Sequence, residues 1–133
     1  MTRPRGLLAG LLALVAAEAA AVGPTSLDGP WVFQPDPDAV GEAQGWERPD
    51  AERSGWRRVP VPMAWDHYDP TMEDYEGVAW YALAIPAEHV VPSSWQRLRF
   101  GRVNHKAKVW LNGRLAGENL TGYLPFEVPA TPF

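Results

Sequence analysis

The chain has 133 residues, a formal net charge of −4 and no cysteine. This length suits about one domain, and the absence of a basic stripe argues against a nucleic-acid-binding surface. Without cysteine, an exported domain would depend on its core rather than on disulfides. Seven tryptophans and fourteen prolines indicate large core or sugar-stacking side chains and a chain rich in loops.

Residues 1–21 are typical of a secretory signal peptide. Two arginines in MTRPR precede the apolar run GLLAGLLALVAA, and small residues follow it, as in cleavable export signals. The run is shorter than the roughly 20 residues that span a bilayer, which makes an uncleaved membrane anchor the weaker alternative. We therefore predict cleavage, a secreted or periplasmic location, and a mature domain over residues 22–133 without membrane attachment.

The first half of the mature chain shows the two-residue rhythm of strands. LDGPWVFQPDP places Trp31 and Phe33 on one face and is expected to break at Pro35. PDAVGEAQGW has room for one helical turn at most, and GWRRVPVP holds a short strand that ends at Pro60 or Pro62. VAWYALAIP is apolar on both faces, which predicts a strand inside a sheet that is packed on both sides.

The second half continues the same pattern. QRLRF and KAKVWL alternate after a proline-bounded loop, PAEHVVPSSW. Asn112-Gly113 predicts a hairpin, because a type I′ turn requires positive φ at both central residues; the returning strand is expected over residues 114–117. Many short strands between glycine and proline turns predict an all-β sandwich or jelly roll. The residues expected to face inward are Leu98, Phe100, Ala107, Val109 and Leu111, with Arg97, Arg99, Lys108 and Trp110 opposite.

The long loop PVPMAWDHYDPTMEDYEG, residues 60–77, is the main candidate for binding, because long loops are often functional. Two interpretations stay open: its aromatic residues could contact a ligand or pack as core, and its acids could bind or form a solvated face. The acids lack the order of a calcium loop, and the three histidines match no zinc spacing, so neither metal nor cofactor is predicted. The predicted substrate-binding residues are Trp65, Asp66, His67, Tyr68, Asp74 and Tyr75.

Six sequence blocks follow one another along residues 26–133. They are Leu27-Asp28-Gly29-x-Trp31-x-Phe33, Gly45-Trp46, VPVPMAW, Tyr75-x-Gly77-x-x-Trp80-Tyr81, RLRFGRVNHKAKVWLNG and Gly122-Tyr123-x-Pro125-Phe126-Glu127. In this order they resemble the amino-terminal sugar-binding domain of glycoside hydrolase family 2, which includes β-galactosidases, β-glucuronidases and β-mannosidases. GVAWY and VNHKAKVWLNG are most similar to the β-glucuronidase branch. In the last block, Gly122 is expected to permit a turn, while Tyr123 and Phe126 are expected to pack.

The resemblance implies a jelly-roll, galactose-binding-like β-sandwich that precedes an immunoglobulin-like domain and a (β/α)₈ barrel. Family members are retaining glycosidases, whose two carboxylates lie about 5 Å apart, and in the family both are barrel glutamates. Because such a barrel takes about 250 residues, no catalytic residue is assigned to this chain. In the family the loop corresponding to residues 60–77 runs toward the active site, although Gly77 stands where galactosidases have a substrate-contacting asparagine.

The resemblance also implies further strands after PFE, so residues 22–133 are expected to form an incomplete sandwich. The leading hypothesis is the amino-terminal sugar-binding domain of an exported β-glycosidase, inactive alone, whose partners are a β-glycoside and the carboxyl-terminal domains of the same polypeptide. The alternatives are a stand-alone carbohydrate-binding module, favoured by the supply of aromatic residues, and a non-functional gene fragment.

Overall fold

The structure, a computed structural model, describes residues 23–91 and 95–131. The predicted signal peptide therefore lies outside the described residues. The described part consists of short strands, one turn of α-helix and three 3₁₀ turns, which confirms the all-β prediction and the single helical turn. The strands are β1 (Gly29–Asp36), β2 (Arg57–Val61), β3 (Val78–Ala82), β4 (Arg97–Phe100), β5 (Ala107–Leu111), β6 (Arg114–Asn119) and β7 (Phe126–Pro129); the helix is α1 (Gly41–Gln44), and the 3₁₀ turns are Trp65–His67, Pro70–Met72 and Ala87–His89.

The strands form one three-stranded sheet, in the order β2-β1-β3, and two ribbons, β4–β7 and β5–β6. All of these pairings are antiparallel. The two ribbons are in contact where Gly117 of β6 packs against Val128 of β7. The approach is so close that a Cβ added to Gly117 would lie 2.7 Å from Cγ1 of Val128. The described strands thus stack as the layers of a sandwich, with apolar residues between them.

One face of the three-stranded sheet is covered by residues 62–77, which we call the covering loop. Phe33 is fully buried at its centre, and Val59 and Met72 are each 3% exposed beside it. The Phe33 ring lies 5.1 Å from the ring of Tyr68 and 4.9 Å from that of Tyr81, distances at which aromatic pairs attract one another. The other apolar residues packed against this core are Val61, Trp65, Tyr75 and Ala79.

The opposite face of the sheet packs on the β5–β6 ribbon through tryptophans; we call it the tryptophan face. Trp80 stacks on Trp110 with ring centroids 5.1 Å apart, and the edge of Trp46 meets Trp80 at 5.9 Å. An ion pair of 2.6 Å between Lys108 on β5 and Glu42 on α1 adds a second link at the surface. Side chains of a strand point alternately to its two faces. Phe33 and Asp36 are an odd number of positions apart along β1, so Phe33 lies on the covering-loop face and Asp36 on the tryptophan face.

Two strand predictions were wrong. β1 does not break at Pro35 but continues to Asp36. The pairing with β2 ends at Phe33, so beyond it only β3 pairs with β1, and a proline without an N–H is tolerated beside an open edge. Within the described chain β3 pairs with β1 alone, and Val78 is 44% exposed. β3 is therefore an edge strand of its sheet rather than an interior one, although both its faces are packed.

The hairpin prediction is confirmed. Asn112 and Gly113 have φ of 50° and 79°, as a type I′ turn requires, and the returning strand β6 runs past the expected residue 117 to Asn119. The register of the β5–β6 pair shifts between Val109 and Trp110, where Ala116 of β6 is the extra residue. Trp110 is half-buried and stacks on Trp80.

The last block of the sequence differs from the prediction at one of its three residues, Tyr123. Phe126 packs as expected, stacked 4.8 Å from Phe100, but Tyr123 is 65% exposed. Gly122 lies in a turn, as expected, which the N–H of Leu124 closes by donating to the carbonyl of Thr121 at 3.4 Å, although its φ is not positive. A glycine is required there by close packing, because an added Cβ would lie 2.6 Å from Cα of His105. None of the described helices is long and apolar enough to cross a membrane.

Candidate functional site

The covering loop is fixed to the sheet at its middle by Asp69. This carboxylate caps the 3₁₀ turn Pro70–Met72 by accepting a hydrogen bond of 2.7 Å from the backbone N–H of Thr71. It also accepts from the Thr71 hydroxyl and forms an ion pair with Arg57 of β2. Asp followed by Pro at a helix start is a local signal that could have identified this cap from the sequence.

Three of the six predicted binding residues are packed aromatic side chains. The rings of Trp65 and Tyr75 meet edge to face at 5.7 Å, and the Tyr75 hydroxyl donates to the carbonyl of Val78 at 2.6 Å. The Tyr68 hydroxyl lies 3.3 Å from that of Tyr81 and 3.2 Å from the carbonyl of Pro60. The structure therefore places these aromatic residues where they hold the covering loop on the sheet.

Two phenols of this layer, those of Tyr75 and Tyr81, have a raised pKa. Burial, reinforced by the hydrogen bond between the Tyr81 and Tyr68 hydroxyls, raises the pKa of Tyr81 well above its usual range, and burial also raises the pKa of Tyr75. A buried phenolate would lack solvation, so both groups keep their protons. Neither phenol is therefore suited to act as a base at physiological pH.

The predicted residues Asp66 and His67 lie at the surface, where they line a shallow depression of about 390 Å³. The third exposed member of the predicted set, Asp74, does not line it. Sequence reasoning did not select the remaining lining residues, which are Asp69, Pro70 and Glu73. The depression is acidic and offers mainly hydrogen-bond acceptors, which sugar hydroxyls can donate to.

No group of three or more His, Cys, Asp or Glu converges as metal ligands would, within residues 23–91 and 95–131. The acids of the covering loop are spread along its outer surface instead.

A buried carboxylate on the tryptophan face was not identified from the sequence. Asp36 is 2% exposed and accepts hydrogen bonds of 2.8 Å from the N–H groups of Val40 and Gly41 and of 3.0 Å from Nε1 of Trp80. Burial acts to raise the pKa of this carboxyl, but the three donors outweigh it and hold the pKa below its usual range. With these bonds made, Asp36 connects β1, α1 and β3 rather than facing a ligand.

A second depression, of about 400 Å³, lies beside the exposed ring of Tyr123. The guanidinium of Arg102 lies over this ring at 5.3 Å from its centroid, and Nε2 of His105 lies 3.2 Å from the Tyr123 hydroxyl. Leu120 and Leu124, which also line it, are 69% and 64% exposed. Sequence reasoning expected Tyr123 to pack and so did not select this surface.

Comparison with known proteins places this geometry in context. Residues 25–133 match the family described as "Glycosyl hydrolases family 2, sugar binding domain". A β-glucuronidase of Streptococcus agalactiae is 44% identical over 55 residues, which is 41% of this chain and 9% of that protein. The β-glucuronidase of Canis lupus familiaris is 31% identical over 115 residues, covering 76% of this chain and 17% of that protein.

The fold is similar to that of a solved β-glucuronidase. The structure of the enzyme from Ruminococcus gnavus in complex with uronic deoxynojirimycin superposes with a TM-score of 0.68 at 32% sequence identity. The match covers 81% of this chain and 18% of that one. The chain thus spans less than a fifth of the length of these relatives.

Proposed function

This chain belongs to the sugar-binding domain family of glycosyl hydrolases family 2, and from that premise we propose that it serves an exported β-glycosidase as its amino-terminal sugar-binding domain. The match of sequence over residues 25–133, together with the fold shared with a β-glucuronidase over 81% of the chain, carries this proposal. Carbohydrate is the ligand of the domain, and the whole enzyme hydrolyses a β-glycoside.

The domain contributes binding and positioning rather than bond cleavage. Retaining glycosidases need two carboxylates about 5 Å apart that flank the scissile bond. The family's two glutamates belong to a barrel region, and no residue of this sequence is assigned to either role. The domain's partner in catalysis is therefore the barrel region of a family 2 enzyme.

The outer surface of the covering loop supplies the polar contacts of this proposal. Asp66 and His67 line a depression of about 390 Å³, within the roughly 300–1,000 Å³ range of small-molecule sites. Its carboxylates accept hydrogen bonds from sugar hydroxyls, which are strengthened when the acceptor is charged. The packed aromatic residues beneath keep this surface in place without contacting the sugar themselves, while Asp69 both caps the Pro70–Met72 turn and lines the depression.

Hydrolysis assays test the division of labour. The purified chain is expected to release no nitrophenol from nitrophenyl β-galactoside, β-glucuronide or β-mannoside, while a β-glucuronidase that has its barrel serves as the positive control. Clear turnover by this chain alone, retained through a second purification step, would contradict the proposal.

Nuclear magnetic resonance titration tests the sugar-binding surface. Methyl β-glycosides added to the ¹⁵N-labelled chain are expected to shift the amide resonances of residues 66–73. An Asp66→Asn variant should weaken this response by up to about tenfold, because it removes one charge-assisted acceptor. Asp74→Asn is the matched control, since Asp74 lies on the same loop outside the depression. If Asp74→Asn weakens the response as much as Asp66→Asn does, the depression is not the site.

Export is a separate part of the proposal and has its own test. Residues 1–21 form the signal described above, and cleavage would give a mature chain that starts near residue 22. Amino-terminal sequencing of the protein recovered outside the cytoplasm is expected to find this start. A chain that still begins at Met1 in that fraction would contradict cleavage.

A further inference from the structure

Residues 97–114 carry a local excess of basic over acidic side chains, although these are interleaved with apolar residues. Six of the twelve Lys and Arg lie between Arg97 and Arg114, an interval that contains neither Asp nor Glu. The chain as a whole has a net charge of −4, so this interval is locally opposite in sign to the rest. A local concentration of one charge attracts ligands of the opposite charge even when the net charge of the protein is unfavourable.

Arg102 is the basic residue of this interval that contacts the ring of Tyr123, and Tyr123 lines the second depression. Arg97 pairs with Glu127 at 3.3 Å, and Lys108 pairs with Glu42 at 2.6 Å. Within the described ranges no carboxylate pairs with Arg102, whose Nε donates to the side-chain oxygen of Asn104 at 3.2 Å. The terminal N–H groups of its guanidinium remain to bind an oxyanion, and their planar fork suits a carboxylate.

Tyr123 supplies a flat surface beside this cation. Its ring is 65% exposed, and the neighbouring depression of about 400 Å³ is lined mainly by apolar atoms of Leu120 and Leu124. The C–H face of a sugar ring is apolar while its edge carries hydroxyls, so an amphipathic ring such as tyrosine is a suitable partner. None of the lining residues carries a carboxylate that would repel an anion.

Contacts from the preceding loop hold this surface in shape. His105 meets the Tyr123 ring edge to face at 5.7 Å, with Nε2 3.2 Å from the hydroxyl. Gly122 packs so closely on the backbone of His105 that a Cβ would overlap it. Arg102 and Tyr123 are thus brought together by a contact between two loops far apart in sequence.

We propose that Arg102, His105 and Tyr123 form a binding site for a negatively charged sugar. The sugar ring lies against Tyr123 and Leu124, the guanidinium of Arg102 binds the carboxylate or sulfate group, and His105 positions the tyrosine. This inference takes sugar as the ligand class from the proposed function and adds the charge of the sugar and the residues that recognise it.

Titration of the ¹⁵N-labelled full chain with three matched sugars tests the site. The probes are D-glucuronic acid, glucose 6-sulfate and neutral D-glucose. Both charged sugars are expected to shift the amides of residues 102–105 and 120–124, and raising the salt concentration should weaken the response because exposed charges are screened. Comparison of the two charged probes shows whether carboxylate or sulfate is preferred.

Variants then assign the roles. Arg102→Ala should weaken binding of the charged sugars by about tenfold, as expected for loss of a charge-assisted bond, and Arg102→Lys should recover part of it. Arg99→Ala is the matched control, because it removes the same charge from an exposed position on β4, whereas it is the guanidinium of Arg102 that lies over the Tyr123 ring. Tyr123→Ala should abolish the response, whereas Tyr123→Phe, which keeps the ring, should retain most of it.

Three outcomes would overturn the inference. D-Glucose could bind as well as the charged sugars, Arg99→Ala could weaken binding as much as Arg102→Ala does, or residues 120–124 could respond only to protein concentration, which would assign the surface to self-association. Shifts confined to residues 66–73 would overturn this site while supporting the proposed function. Shifts confined to residues 102–124 and caused by charged sugars alone would support this site. They would also contradict the covering loop as the sugar-binding surface of the proposed function.

Discussion

The two faces of the β1–β2–β3 sheet are buried by different means. The covering-loop face is closed by apolar and aromatic side chains around Phe33, and its polar groups lie at the margin. The tryptophan face contains a carboxylate, Asp36, among indole rings, and Trp80 lies so near Gly41 that a Cβ there would meet it at 2.4 Å. Substitutions that remove side-chain volume should therefore destabilise the covering-loop face most. Substitutions that change hydrogen bonds, charge or close packing should destabilise the tryptophan face most.

Removal of the ring at the centre of the covering-loop face should have the largest effect. Phe33→Ala is expected to lower the free energy of unfolding by about 4 kcal/mol, the usual cost of deleting a buried aromatic side chain and leaving a cavity. Denaturant melts followed by circular dichroism measure this loss. Val78→Ala, at a position 44% exposed, is the control and should cost less than about 1 kcal/mol. Equal losses in the two variants would mean that Phe33 does not organise the core.

Neutralising the buried carboxylate should have the next largest effect and should act on the other face. Asp36→Asn keeps the shape but places an NH₂ group where an oxygen accepts hydrogen bonds, so at least one N–H donor loses its partner. A cost of about 3 kcal/mol follows, since an unsatisfied buried group costs roughly 1–3 kcal/mol and bonds to a charged group are stronger. Asp38→Asn, at an exposed position on the same loop, is the control. Denaturant melts followed by circular dichroism measure the loss in both variants.

The same carboxylate gives the tryptophan face a pH dependence that can be measured separately. The folded pKa of Asp36 lies below its usual range, so the carboxylate stabilises the fold above the unfolded pKa of about 4. That contribution is lost as the pH falls from the unfolded pKa through the folded one. Stability measured across this window should therefore fall less steeply in Asp36→Asn than in the wild type. Parallel curves for the two proteins would show that other groups cause the acid sensitivity.

The elements predicted correctly depend on neighbouring residues. The Asn112–Gly113 turn is set by the φ angles of two adjacent residues, and the strand alternation of Trp31 and Phe33 is readable within a few positions. The position of Asp36 is different, because its partner Trp80 is 44 residues away and no local pattern links them. The contact of Tyr123 with His105, 18 residues away, is likewise linked by no local pattern.

In the candidate site, too, local sequence features were predicted correctly, while contacts between distant residues were not. The sequence selected the covering loop by its length and polarity, and Asp66 and His67 do lie together at its surface. It could not separate them from Trp65, Tyr68 and Tyr75, because an aromatic residue in a polar loop packs or projects according to what lies beneath it. The loop rests on Phe33 and Tyr81, which only the fold brings there.

Adding one methyl group to α1 should destabilise the tryptophan face less than Asp36→Asn does. In Gly41→Ala the new Cβ would lie 2.4–2.7 Å from the Trp80 indole, so the ring must shift, and overpacking of this kind costs about 1–3 kcal/mol. Gly55→Ala is the matched control, since no atom lies within 4 Å of its added Cβ. A Trp80 environment unchanged in fluorescence and near-ultraviolet circular dichroism would show that α1 can move away without cost.

The smallest effect is expected at the edge of the covering-loop face, where a carboxylate acts as a cap rather than as part of the core. Asp69→Ala removes the cap of the Pro70–Met72 turn and the ion pair with Arg57, and caps and partly exposed ion pairs each contribute about 1 kcal/mol or less. Global stability should therefore fall by only about 1 kcal/mol, whereas amide exchange at Thr71 and Met72 should accelerate locally. Asp74→Ala, on the same loop with the same change of charge, should leave those amides unaffected. If Asp69→Ala lowers the free energy of unfolding as much as Asp36→Asn does, the covering loop and the sheet unfold as one unit. The contrast between the packed covering-loop face and the hydrogen-bonded tryptophan face would then no longer hold.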